Sequence, residues 1–224
     1  MAIGRELDLL AKYPKGKRDP AARAREKTPE DVAIARQFGR EFFDGKRRHG
    51  YGGYSPDADR WRGVVGDLIE EYGAIKSFLD LGCGKGGLIR AMGDRLIDCF
   101  AVGYDISAYA IWAARRYHHF PENQAMQGDI QNLPLPRIKD KAFDLVVSIN
   151  TIHNLDRAGC IKALQEIERV GRRAYVTVDG YRTAEERQRM LDWNLTALTI
   201  LSDVEWKDLF LEAGYTGDWG LWIP

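Results

Sequence analysis

The run Ser77-Phe-Leu-Asp-Leu-Gly-Cys-Gly-Lys-Gly-Gly87 constrains this chain more than any other stretch. Phe78, Leu79 and Leu81 read as a short buried strand, which breaks at once into a turn rich in glycine. Glycine tolerates both the dihedrals of such a turn and the close approach of backbone to a ligand. Asp80 stands two residues before the first glycine. The pattern suits a small, polar, nucleoside-type ligand at the carboxyl end of a strand.

From residue 75 onward strand and helix patterns alternate. Strands are expected at Ile75–Leu81, Cys99–Tyr104, Gln124–Gln127, Phe143–Asn150 and Ala174–Val178. Helices are expected at Gly87–Arg95, after Ser107, from Asp156 to Val170, after Thr183, and from Ser202 to Gly214. Thr183 with Glu186 and Ser202 with Glu205 have capping-box spacing. Near-continuous apolar strands separated by helices imply an α/β fold, a doubly wound and mostly parallel sheet buried on both faces. Residues 75–224 form the expected ligand-binding domain, and residues 1–74 a helical extension that also supplies an acceptor-side loop. Within the extension the pattern predicts a helix at Arg5–Lys12, then a loose arm. A second helix starts at the Thr28 cap and is stopped by Gly45. The loop Arg48–Pro56 is rich in glycine and tyrosine, and a further helix runs to Tyr72. The closing residues Tyr215–Pro224 supply one edge strand.

The 224 residues carry 33 basic and 33 acidic side chains, so no global field favours nucleic acid or an anionic membrane. The halves differ: residues 1–63 are net +5 and the remainder net −5. Three cysteines without CxxC spacing argue against a disulfide framework or a structural zinc site. No His/Asp/Glu cluster has coordinating spacing, so no metal is expected. No apolar run approaches the roughly 18 residues of a membrane span, and the first thirty residues have no signal-peptide core. A cytoplasmic location is the expectation.

Several chemical groups fall at predicted strand ends, where open parallel sheets bind ligands. The first strand offers Asp80, Gly82, Cys83 and Gly84, with Cys83 expected only as a small residue in a tight turn. Asp105 ends the second strand, 18 residues after Gly87, close to the spacing of about 20 for a ribose-binding acid. Ile106 can pack on a purine, and Asp129 can accept from an exocyclic amine. Asn150 and His153 follow the fourth strand. A histidine there can remove a proton at neutral pH, orient an acceptor or cap the next helix. Tyr51, Tyr54, Tyr181 and Trp193 are candidate acceptor contacts.

In these residues the chain resembles the class I S-adenosylmethionine-dependent methyltransferases, over roughly Ile75 to Val178. Leu79–Gly86 is similar to their first motif, Val102–Ile106 to their second-strand acid, Gly128-Asp129-Ile130 to their adenine contact and Phe143–Asn150 to their fourth-strand motif. The resemblance implies that Asp80, Gly82 and Gly84 face the methionine end. It further implies that Asp105 and Ile106 hold ribose and adenine, and that Asp129 and Ile130 hold the adenine edge. S-adenosylmethionine is then the cofactor and S-adenosylhomocysteine its product. Gly50–Tyr54 with Arg60-Trp61, and Glu205-Trp206 with Ala213–Asp218, resemble a subgroup acting on small molecules. The amino-methyltransferase signature after the fourth strand is replaced by Asn150-Thr-Ile-His153. Oxygen, as hydroxyl or carboxylate, is therefore expected ahead of amine nitrogen, with His153 as the candidate base. The family usually ends its sheet in an antiparallel hairpin, for which too few residues follow Gly214. A homodimer through the open edge is one remedy.

Three other readings compete. Gly82-x-Gly84-x-x-Gly87 also fits a dinucleotide site, but Asp80 would repel a pyrophosphate. The cations Lys12, Lys15, Lys17, Arg18, Arg23, Arg25 and Lys27, with Lys46-Arg-Arg48, suit RNA methylation or a merely solvated arm. The same fold could also bind the cofactor without turnover.

Overall fold

The computed structural model describes residues 2–14, 16, 19–131 and 138–224. The sheet strands are β1 (Ser77–Leu81), β2 (Phe100–Asp105), β3 (Ala125–Gln127), β4 (Leu145–Ile149), β5 (Ala174–Tyr181), β6 (Leu201–Ser202) and β7 (Asp218–Trp222). The helices are α1 (Pro20–Glu26), α2 (Pro29–Ala35), α3 (Arg40–Asp44), α4 (Arg62–Tyr72), α5 (Gly87–Arg95), α6 (Ala108–His118), α7 (Arg157–Val170), α8 (Ala184–Trp193) and α9 (Asp203–Ala213). All pairings of named strands are parallel, in the order β3-β2-β1-β4-β5, with β7 and the short β6 also on β5. The chain winds outward through β2 and β3, then crosses back to β4 beside β1. The strand order therefore reverses between β1 and β4, which opens the ligand crevice at their carboxyl ends.

Strand alternation builds two cores. Phe78, Leu145, Val147 and Tyr175 face Val64, Val65, Leu68, Leu88, Ile89 and Met92 of α4 and α5. Leu79, Leu81, Val146, Val176 and Val178 face Leu164, Ile167, Leu209 and Phe210 of α7 and α9. Both capping boxes form, at Thr183/Glu186 and Ser202/Glu205, and Ser107 caps α6 through the Ala110 N–H.

Three expectations are corrected. Arg5–Lys12 is not helical: Leu7 N–H donates to Trp219 O at 2.8 Å and Trp219 N–H donates to Arg5 O at 3.0 Å. An isolated helix of that length is marginal, and hydrogen bonds on the sheet edge outweigh it. The helix starting at Thr28 is two helices, because Phe38 turns left-handed at φ 49° and Gly39 begins α3. The bend is held by packing, since α3 buries Phe43 against Tyr51 and Tyr54. Finally, the closing strand is not left as an open edge: β7 runs parallel to β5, and the Arg5–Leu7 segment bonds along it at Trp219.

Of the basic arm, Lys15, Lys17 and Arg18 lie outside the described residues, while other cations of the arm and of the Lys46-Arg-Arg48 cluster are used internally. Lys12 pairs with Asp67, Arg48 with Asp31 at 3.1 Å, and Lys27 donates to the carbonyls of Leu191, Asp192 and Asn194 at the end of α8.

Candidate functional site

The glycine-rich turn is bonded to the end of β2. Gly82 and Cys83 N–H groups donate to Tyr104 O, and Gly84 N–H donates to Asp105 Oδ2 at 2.8 Å. Asp105 Oδ1 accepts the Ser107 N–H at 2.8 Å. Each carboxylate oxygen has two lone pairs, so both retain acceptor capacity for a diol. Gly82 and Gly84 have φ of 86° and 52°, which other residues adopt only with strain. A Cβ on Gly82 would lie 2.1 Å from Thr151 Oγ1, and one on Gly84 would touch the Tyr54 ring at 3.4 Å.

Asp80 and Asp105 are both buried, and neither has a cationic partner among the described residues. Burial, then the charge of Asp105, raises the Asp80 carboxyl to about 8. Burial also raises Asp105, against the lowering effect of its two backbone donors. Carboxylates without a cationic partner in a low-dielectric crevice suit a cationic ligand. A sulfonium and ammonium group meets that demand, and a pyrophosphate does not. Ile106 is 50 % exposed directly after Asp105, an apolar surface at the crevice. These residues fit S-adenosylmethionine.

The remaining candidates divide. Asp129 accepts the Gln131 N–H at 2.9 Å near the end of β3. Ile130 is packed in the core under the sheet, and the Cys83 side chain is buried beside Gly103 and Ile89. These two can offer only backbone to a ligand. Asn150 is left-handed at φ 49°, with its N–H and side chain bound to Thr177. Tyr51 and Tyr54 rings lie 4.7 Å apart over the turn. Tyr51 as a residue is 44 % exposed; desolvation of its phenol, then the charges of Asp105 and Asp179, against a smaller opposing effect of Arg47, push the phenol up. Tyr181 gives its hydroxyl to Glu205 at 3.4 Å, on α9. Trp193 closes α8 with Arg23 over its ring at 4.4 Å.

His153 is buried in a single 3₁₀ turn after β4. Its Nδ1 accepts the Asp179 N–H at 3.1 Å, and its Nε2 lies 3.4 Å from Asp179 Oδ2. The proton therefore sits on Nε2, facing the carboxylate. Burial lowers the imidazole to about 3, so it is neutral across physiological pH.

Three participants were missed by sequence reasoning. Asp179 lies in β5, where a strand acid has no motif. Lys85 is in the glycine turn yet bonds Asp44 of α3, and no local pattern announces that distant pair. Arg47 of the basic cluster lies 5.2 Å from the Trp193 ring centre.

Residues 78–173 match the family model described as a methyltransferase domain. A fatty-acid O-methyltransferase from Mycolicibacterium smegmatis is 33% identical over 95 residues, 42% of this chain and 33% of that protein. The chain thus matches about one third of that relative's length. Among solved structures, the plantazolicin methyltransferase BpumL, in complex with a monoazolic desmethylPZN analog and SAH, superposes with a TM-score of 0.53. It is 17% identical over 84% of this chain and 77% of its own. The YcgJ protein of Bacillus subtilis gives 0.52 at 21% identity over 66% of each chain. With the parallel sheet and the acid-lined glycine turn in place, residues 78–173 are similar to a methyltransferase domain carried on a class I methyltransferase-like fold.

Proposed function

We propose that this protein transfers the methyl group of S-adenosylmethionine to an oxygen atom of a small-molecule acceptor. The observation that carries the reading is the pair of buried carboxylates, Asp80 and Asp105, with no cationic partner across a glycine-rich turn. Asp80 would hold the ammonium group and Asp105 the ribose hydroxyls. Ile106 would lie against the adenine, with Asp129 at its edge. When bound, the cofactor supplies a methyl group already activated on a sulfonium centre.

What the protein adds is alignment. Holding reacting atoms within about 3–3.5 Å supplies up to ~7–11 kcal/mol in ideal cases. Tyr51 and Tyr54 would cover the transfer site and exclude water. His153, the candidate base, has its ring nitrogens directed at Asp179 and is neutral because of burial. Its role in this reading is to fix the β4–β5 side of the pocket. An acceptor that must lose a proton has no free histidine to take it, which favours a carboxylate oxygen over a hydroxyl. The fatty-acid O-methyltransferase relative supports the same choice.

Incubation with methyl-labelled cofactor and parallel sets of carboxylic acids, alcohols, phenols and amines tests this by mass spectrometry. Methyl esters are the expected products. Transfer to amines alone would refute the oxygen assignment.

A further inference from the structure

Among the described residues, two guanidinium groups beside the Gly50-Tyr51 segment have no carboxylate partner. Arg23 of α1 and Arg47, after α3, both lie over the ring of Trp193, at 4.4 and 5.2 Å from its centre. Arg23 donates to the carbonyls of Arg47 and Gly50 at 3.0 and 3.1 Å, and Arg47 to those of Gly50 and Tyr51 at 2.6 and 3.2 Å. These neutral acceptors satisfy some of the ten N–H donors but none of the charge. Glu26, one helical turn away on α1, favours the Arg23 cation, but no ion pair joins the two among the described residues. Burial, then the charge of Arg47, makes the Arg23 cation less favourable. Burial does the same for Arg47. Like charges held together at a half-buried aromatic wall suit an anionic ligand.

The location matters as much as the charge. Arg47 donates to the Tyr51 carbonyl at 3.2 Å, and Asn194, next to Trp193, donates to Asp179 Oδ2 at 2.6 Å. The guanidiniums and the indole are thereby tied to the tyrosine cover and to the end of β5.

We propose that Arg23, Arg47 and Trp193 form the acceptor subsite, which takes the carboxylate of a small monocarboxylic acid whose apolar or planar body lies against the indole. This rests on the methyl-transfer reading and specifies its acceptor class. The bond chemistry balances without further reagents. A carboxylate oxygen forms the new C–O bond as the C–S bond breaks, its negative charge offsets the lost sulfonium charge, and neutral ester and thioether result. No proton needs a base. The arginines bind the ionised acid and release the neutral ester, which no longer matches their charge.

Calorimetry on protein saturated with S-adenosylhomocysteine tests the subsite without turnover. The probes are octanoate, dodecanoate, benzoate and phenylacetate, each against its primary amide. At least one acid should bind about 10–100-fold more tightly than its amide, the range for charge-assisted hydrogen bonds. Arg23→Gln and Arg47→Lys should each remove most of that preference while S-adenosylhomocysteine affinity stays within about twofold. Acids and amides binding alike, no acid binding at all, or a preference unchanged in both variants would overturn the subsite. The comparison of acid with amide needs no variant, so a misfolded mutant does not obscure it. Failure of S-adenosylhomocysteine itself to bind the unaltered protein would instead defeat the cofactor reading beneath it.

Discussion

Lys85, inside the glycine-rich turn, donates to both carboxylate oxygens of Asp44 at 2.6 Å, although Asp44 lies 41 residues earlier, at the end of α3. The same ammonium reaches Tyr54 O at 2.8 Å, and Tyr109 donates its hydroxyl to Asp44 Oδ2 at 2.6 Å. The glycine-rich turn thereby holds the segment that carries Tyr51 and Tyr54 over it. Lys85 is almost fully buried, while Asp44 keeps 27% side-chain exposure.

Lys85→Met should loosen this cover. Breaking a fully buried pair costs about 3–5 kcal/mol, and partial solvation of Asp44 reduces that to about 1–3 kcal/mol. Urea unfolding reads the stability loss. Stopped-flow release of S-adenosylhomocysteine should be faster in the variant; an unchanged release rate would show that the cover does not retain the ligand. In the unaltered protein, burial opposes ionisation of Asp44, but the bonds from Lys85 and Tyr109 prevail and lower its pKa. A depressed carboxyl stabilises above its unfolded pKa near 4, and that contribution is lost only as pH falls through the lower folded value. The contact should be insensitive to pH between 6 and 8.

Asp80 carries the opposite sign. Its raised carboxyl, at about 8, keeps a proton in the free protein at pH 7. The folded state then binds more protons than the unfolded chain between about pH 4 and 8, so this residue makes stability fall as pH rises through that window. A ligand ammonium beside Asp80 favours the carboxylate, so binding should release a proton. Titrations of S-adenosylhomocysteine at pH 7 in buffers of different ionisation enthalpy should show that release. Asp80→Asn should abolish it; identical heats in all buffers for the unaltered protein would contradict the assignment.

His153 should leave no trace in the pH–rate profile between 5 and 8, because burial holds it neutral with its pKa at about 3. A lowered histidine stabilises above its unfolded pKa near 6.5, and that contribution is lost as pH falls below it. Thermal stability should therefore fall on acidification below about pH 6. A rate limb near pH 6.5 that disappears in His153→Gln would restore the histidine to the role of base.

Residues Arg5–Leu7 cap the sheet, and Arg5 N–H also donates to Asp218 Oδ1 at 2.7 Å. Deleting residues 1–8 should expose the outer edge of β7, an open template for another strand. Light scattering should detect self-association of the truncated protein. A stable monomer would show that the segment is dispensable for edge protection.

The doubly wound sheet was legible because each of its signals is local. Glycines mark the turn after β1, apolar runs mark β1, β2, β4 and β5, and hydroxyl caps mark the helix starts at Ser107, Thr183 and Ser202. Asp105 was legible through its distance from the glycines. The misses share one physical cause, dependence on partners remote in sequence. Residues 5–7 became extended because Trp219 offered hydrogen bonds. Lys85 acquired its role from Asp44, and Arg23 left the expected arm to lie on Trp193. His153 carried the right chemistry for a base, but Asp179 in β5 occupies its nitrogens.

The most direct measurement is calorimetric titration of the purified protein with S-adenosylhomocysteine, alongside its Asp105→Ala variant and NAD. The expected result is saturable one-to-one binding at about micromolar Kd, weakened at least about tenfold in the variant, with no heat from NAD. Absence of heat from S-adenosylhomocysteine, or equal affinity in Asp105→Ala, would contradict a cationic nucleoside site at the ends of β1 and β2.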